Sequence, residues 1–164
     1  MIAKPFEVWH DTPEEISVLL TLPIAAFDTL PAEVQWNSQR FIKKHEFHVT
    51  LAHKTLGEAD KLEELFEQFI SSYPLVFKKF LNDLRSAKKG ENKSIVARCE
   101  VTNFEELFEF LLANGIKLPL QPAHVTLYSI AENKGIGIDT VGEMNALPKV
   151  SIPNLTDFIQ RIKV

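Results

Sequence analysis

Two hexapeptides hold the residues with the clearest chemical use: Glu46-Phe47-His48-Val49-Thr50-Leu51 and Pro122-Ala123-His124-Val125-Thr126-Leu127. Each sets His, an apolar residue, Thr and a second apolar residue in a run that reads as extended chain. Side chains alternate faces along a strand, so His48 and Thr50 point one way, and Val49 and Leu51 the other. The same alternation separates His124 and Thr126 from Val125 and Leu127. If the two strands lie side by side, two imidazoles and two hydroxyls converge on one polar cleft above an apolar core. An imidazole with an unperturbed pKa of about 6.5 can be neutral in one copy and protonated in the other near neutral pH. The constellation suits acid–base work on a phosphate.

The elements that must position these residues are legible in part. Phe6, Val8 and His10 alternate with Glu7 and Trp9, as in a short edge strand. Thr12-Pro13-Glu14-Glu15 resembles a capping box and predicts a helical turn. Residues 17–22 form a short apolar run stopped by Pro23, read as a buried strand, and 31–43 is read as a helix. After the first His/Thr strand (47–53), Leu62, Leu65, Phe66, Phe69 and Ile70 fall at the spacing of an amphipathic helix within 58–72. One or two strands are expected in 75–87, then a turn or loop at 88–93. Ile95, Ala97, Cys99 and Val101 alternate as the core face of a strand. Asn103 and Glu106 predict a capped helix with Phe104, Leu107, Phe108, Leu111 and Leu112 as its stripe and Gly115 as its stop. Pro119 and Pro122 keep the approach to the second His/Thr strand extended. Beyond it come a glycine-rich loop at 133–137, a short helix at 140–147, a strand at 149–152, and a C-terminal segment that is helix or strand.

Composition narrows the class. The chain of 164 residues fits one domain, 1–164, and its 45% hydrophobic and 24% charged content is that of an ordinary globular protein. A net charge of -4 excludes the overall basic character of a protein that coats long nucleic acid. A small phosphorylated substrate, or an RNA end held by a local basic patch, remains open. The single cysteine, Cys99, allows no internal disulfide and reads as a small buried hydrophobe. No segment approaches the roughly 18 apolar residues of a membrane span, and no leader-like N-terminus is evident. The expectation is a cytoplasmic monomer with no obligate protein partner.

The order of elements suggests an internal duplication. Strand (17–22), helix (31–43) and His/Thr strand (47–53) are followed by strand (94–101), helix (103–114) and His/Thr strand (124–130). The first strands start 77 residues apart and the motif histidines stand 76 apart, from 94 − 17 and 124 − 48. Two copies of a strand-helix-strand unit would face each other, with one histidine per lobe and a cleft between.

Paired His-h-Thr-h motifs (h apolar) about half a chain apart resemble those of the 2H phosphoesterase superfamily. That group includes the RNA 2',3'-cyclic phosphodiesterases, also called 2'-5' RNA ligases, the ADP-ribose cyclic phosphate hydrolases and the 2',5'-oligoadenylate phosphodiesterases. The resemblance spans about residues 17–152. It implies an α/β (α+β) fold of two pseudo-symmetric lobes, each a small, mostly antiparallel sheet with outer helices, and an active-site cleft between them. It further implies His48 and His124 as the catalytic pair, Thr50 and Thr126 as phosphate-binding residues, and a nucleotide or RNA end as substrate. Acid and base must sit on opposite sides of phosphorus for in-line attack, and two imidazoles supply both without a metal or cofactor. The substrate could carry a 2',3'-cyclic phosphate or a 2',5' linkage. Which histidine is acid and which is base stays open, as does hydrolysis against ligation.

Other residues have blander readings beside sharper ones. Tyr128 follows Thr126 by two positions and could stack on a base or fill the cleft wall. His45, His48 and His53 invite a metal-site reading, but 48 and 53 differ by an odd number and should face opposite sides of a strand. His10 and His53 are read as surface or boundary histidines. Lys78, Lys79, Arg85, Lys88, Lys89 and Lys93 form a basic stretch, either a solvated face or a guide for phosphates. Two functions compete with RNA-end hydrolysis: cleavage of cyclic oligonucleotide signals by the same four residues, and a non-catalytic RNA- or nucleotide-binding module. The presence of both imidazoles and both hydroxyls speaks against the module.

Overall fold

The alternating apolar runs are realised as strands of one sheet, and the runs with helical spacing lie across one of its faces. The computed structural model describes residues 6–12, 15–55, 59–118, 120–130 and 136–164. The strands are β1 (Glu7–Thr12), β2 (Glu15–Leu22), β3 (Glu33–Trp36), β4 (Gln39–Lys43), β5 (Phe47–Thr55), β6 (Phe77–Lys89), β7 (Asn92–Val101) and β8 (His124–Ser129). The helices are α1 (Ala59–Ile70), α2 (Phe104–Ala113), α3 (Val141–Ala146) and α4 (Leu155–Gln160), with a 3-10 turn at Ile24–Phe27. The fold is α+β with an open, antiparallel sheet.

Two hairpins, β1–β2 and β6–β7, flank the two His/Thr strands. β2 pairs with β5, β5 with β8, and β8 with β7. The β3–β4 hairpin continues along β8 through Ile42↔Ser129 and Lys43↔Tyr128. All eight strands therefore join in one sheet, in place of the expected separate sheet in each of two lobes. The core lies between this sheet and three helices. Val18, Leu20, Val49, Leu51, Ala97, Val125 and Leu127 meet Leu62 and Phe66 of α1, Leu107 and Leu111 of α2, and Leu155 and Ile159 of α4. Phe27 stacks on Phe47 with centroids 3.9 Å apart and meets Phe80 edge-on.

The expected helix at 31–43 is instead the β3–β4 hairpin. Asn37 and Ser38 take φ of 53° and 64°, the two left-handed positions of the tight turn whose twist matches its strands. Val34 and Phe41 are buried seven residues apart, a spacing that also fits two helical turns. This removes the middle match of the proposed duplication. The helical turn expected after Thr12 falls on Pro13 and Glu14, which lie outside the described residues; on either side Thr12 and Glu15 pair across β1 and β2.

Asn103 precedes α2 as expected but does not cap it. Its φ is 58°, and its side-chain amide donates to the Pro74 carbonyl. Leu112 is exposed and lies off the buried stripe. Gly115 takes φ of 87° as α2 ends, and the Ile116 N–H reaches back to the Leu111 carbonyl. Residues 88–93 form a tight hairpin turn at Gly90-Glu91. Thr140 accepts from the Glu143 N–H to cap the start of α3, and the Glu143 carboxylate reaches back past the cap to accept from the Asp139 N–H. Of the strand expected at 149–152 only a single bridge, Arg85↔Lys149, forms. The C-terminal segment is the helix α4. Pro119 and part of the glycine-rich loop lie outside the described residues. Among the described residues no helix is long and apolar enough to cross a membrane.

Ser38→Gly separates the hairpin from the helix in solution. An L-residue in the left-handed region costs about 1–2 kcal/mol, part of which glycine returns as lost chain entropy. The variant should gain roughly 0.5–1 kcal/mol, read as a higher urea midpoint at unchanged slope. A helix at this position would lose roughly 0.5 kcal/mol instead, the propensity difference between serine and glycine.

Candidate active site

The two motif strands meet at the centre of the sheet, with Val49 paired to Val125. Both valines are wholly buried in the core. One antiparallel step to either side, His48 stands opposite Thr126 and Thr50 opposite His124. All four side chains leave the face opposite α1, α2 and α4, and all four are partly buried. The two imidazoles are diagonal neighbours, which sets their strand positions roughly 7–8 Å apart. That span admits one tetrahedral phosphate with a hydrogen bond on each side. The four residues expected from sequence are thus brought together, each histidine beside the hydroxyl of the other motif.

Local contacts orient the rings. His124 Nδ1 lies 2.7 Å from the Pro122 carbonyl. A carbonyl can only accept, so Nδ1 carries the proton and Nε2 presents its lone pair away from it. The His48 ring meets Trp9 edge-on at 5.5 Å between centroids, while the Trp9 indole N–H donates to Glu7. Trp9 is 39% exposed and is the aromatic neighbour that sequence reading overlooked, since its only signal was alternation in β1.

Both imidazoles resist protonation. Burial lowers the pKa of His48, offset in part by Glu46 and Glu7 and reinforced by Lys44. Burial also lowers that of His124; the Pro122 hydrogen bond opposes this, and the charges of His48 and Arg98 add to it. Because each imidazolium disfavours the other, the pair holds one proton more readily than two.

Each motif strand carries a β-bulge at the same place. Opposite β2 the extra residue is Leu51, between Thr50 and Ala52; opposite β7 it is Leu127, between Thr126 and Tyr128. Leu51 and Ala52 both enter the core, as do Leu127 and Tyr128. This overturns the stacking role for Tyr128. Its ring is wholly buried, its hydroxyl donates to the Pro31 carbonyl at 2.8 Å, and burial raises its pKa further.

The same bulge returns His53 to the polar face, against the odd-number argument. His53 Nδ1 lies 2.9 Å from Ser17 Oγ, and Ser17 pairs with Trp9, which touches His48. Even so, no three His, Cys, Asp or Glu side chains among the described residues are grouped to hold a metal.

The basic stretch does not form one patch. Arg85 is buried and bonded to Asp83 and to the carbonyls of Asn145 and Leu147, and Lys93 donates to Gln39. Lys79, Lys88 and Lys89 are exposed. Cys99 is buried as expected, its thiol pushed up to about 12 chiefly by burial. Comparison with protein-family models, with curated proteins and with solved structures returns no match.

These pKa directions carry a sign. A histidine whose folded pKa is depressed binds protons better when unfolded, so its contribution is complete above about pH 6.5 and drains as pH falls through the folded pKa. Proton-resolved NMR should find both rings titrating below 6.5. His124→Asn, which keeps a donor for Pro122, should flatten the acid-side fall of the unfolding midpoint.

Proposed function

We propose that this chain is a phosphodiesterase that opens 2',3'-cyclic phosphates or 2',5'-phosphodiesters of nucleotides or RNA ends by paired-histidine acid–base catalysis. The observation that carries this reading is the Val49↔Val125 pairing, which sets His48 and His124 on one polar face with a threonine beside each. The finer architecture belongs to the same proposal: β1–β2–β5 and β6–β7–β8 act as two related halves, and the substrate lies in a groove along their seam.

In hydrolysis, the neutral imidazole removes a proton from water as the oxygen attacks phosphorus. The protonated imidazole gives its proton to the departing ribose oxygen on the far side. One proton is taken and one given, so the two rings exchange states and solvent resets them. Each transfer contributes about 10²–10⁴-fold. Thr50 and Thr126 donate to the non-bridging oxygens as charge grows there. Two imidazoles supply both transfers, so the step needs no metal.

The neighbours divide the roles. Burial resists a charge on both rings; at His48 two carboxylates, Glu46 and Glu7, oppose that and Lys44 adds to it, while at His124 only the Pro122 hydrogen bond opposes it and the charges of His48 and Arg98 add to it. The single proton therefore rests on His48 as the acid, and His124, its Nδ1–H tied to Pro122, acts as the base.

Turnover of a panel of 2',3'-cyclic nucleotides, 2',5'-linked dinucleotides and ADP-ribose cyclic phosphate tests the proposal. Activity should survive chelator and fall by about 10²–10⁴-fold in His48→Ala and in His124→Ala. With both pKa values depressed, kcat/KM should peak on the acid side of pH 6.5. On a diester with an aryloxide leaving group, His48→Ala should recover most of its loss and His124→Ala should not. Full turnover in either alanine variant would refute the mechanism.

A further inference from the structure

Arg98 pairs with His124 across β7 and β8, so the two side chains leave the same face as direct cross-strand neighbours. The guanidinium is mostly shielded from water and makes its contacts through Nη1 alone, at 3.3 Å to Asp83 Oδ2 and 3.2 Å to Asn145 Oδ1. Its Nε and Nη2 have no partner among the described residues.

Asp83 is shared with Arg85, whose Nε donates to it at 2.7 Å and whose Nη1 turns to backbone carbonyls at Asn145 and Leu147. Burial opposes ionisation of Asp83, but the two guanidiniums hold its carboxyl below the usual range. One carboxylate between two guanidiniums leaves a net charge of +1 (from +2 and −1) on this side of the polar face. Arg85 is committed to the α3 segment; Arg98, the cross-strand neighbour of His124, keeps an edge of two N–H groups unpartnered among the described residues. Two parallel N–H groups on a rigid plane match two oxygens of a phosphate.

We infer that Arg98 binds the substrate's phosphate through its Nε–Nη2 edge, with Asp83 and Asn145 fixing the plane of the guanidinium. The inference rests on the phosphodiesterase reading for the identity of the anion. It deepens that reading by adding a cation to the two hydroxyls, which makes the anionic phosphate itself the main handle on the substrate. It also gives Arg98 a second effect, since its positive charge adds to the burial that lowers the pKa of His124.

The test uses the full chain with inorganic phosphate as the probe, followed by the NMR shifts of the His124 ring, together with KM for a 2',3'-cyclic nucleotide. Arg98→Gln should weaken phosphate binding and raise KM on the order of 10–100-fold, the scale of a charge-assisted hydrogen-bond pair. Arg98→Lys, which retains the charge and an ion pair with Asp83 but not the fork, should recover part of the loss. Wild-type phosphate affinity and KM in Arg98→Gln would overturn the assignment. Should that variant fail to fold, wild-type values in Arg98→Lys would overturn it equally. His48→Ala separates the two levels: full turnover there refutes the parent reading, whereas phosphate affinity needs no turnover and still decides Arg98.

Discussion

A single cross-strand pair, Val49 with Val125, sets both the packing of this molecule and the placement of its candidate site. Its two side chains fill the centre of the core, and the residues one step away carry the imidazoles and hydroxyls. A slip of one residue in either strand would turn valines to water and imidazoles into the core. Exposing two buried valines costs about 1.5–3 kcal/mol each, and burying polar rings without partners adds to that. The register that stabilises the sheet is thus the register that assembles the site. No separate device is needed to bring residues 76 positions apart into one place.

The electrostatics follow from that placement. Two imidazoles sunk side by side into a sheet face lose hydration, and each raises the cost of charging the other. Such a pair takes up its second proton less readily than its first, which leaves a singly protonated state between the two steps. The surroundings then break the near symmetry of the two motifs. Carboxylates from β1 and from the turn before β5 stand near His48, and a guanidinium from β7 stands near His124. The backbone makes the two histidines equivalent; the outer strands make them different.

How far the sequence could be read depended on the kind of structure. Strands β5, β7 and β8 announced themselves through alternation, β2 through an apolar run closed by Pro23, and α1 and α2 through the three-and-four spacing of Leu and Phe. The β3–β4 hairpin did not. Val34 and Phe41 satisfy a helical period as well as a strand one, and the deciding feature was the left-handed backbone at Asn37-Ser38, where a serine stands in place of the glycine that would have marked it. Asn103 misled in the opposite direction: a residue type that caps helices served here to hold the Pro74 turn. The His/Thr quartet was legible because it needs only strand alternation over three residues. Trp9 and Arg98 were not, since their places beside the histidines come from cross-strand register, which no local pattern encodes.

The bulges at Leu51 and Leu127 explain where alternation stops being a guide. A bulge adds a residue without changing the side-chain chemistry around it, so a run such as Leu51-Ala52 or Leu127-Tyr128 looks like ordinary strand. Beyond it, every parity is reversed. Tyr128, counted onto the site face, is in the core; His53, counted onto the far face, rejoins His48. That both motifs are followed by a bulge at the same distance has a physical consequence. Each local bend and added twist falls immediately beyond the threonine, leaving the His-x-Thr segments regular and in step across the seam. Because the strands run antiparallel, the two bulges fall on opposite sides of Val49↔Val125, and the one pair that aligns the histidines is spared the distortion on either side of it.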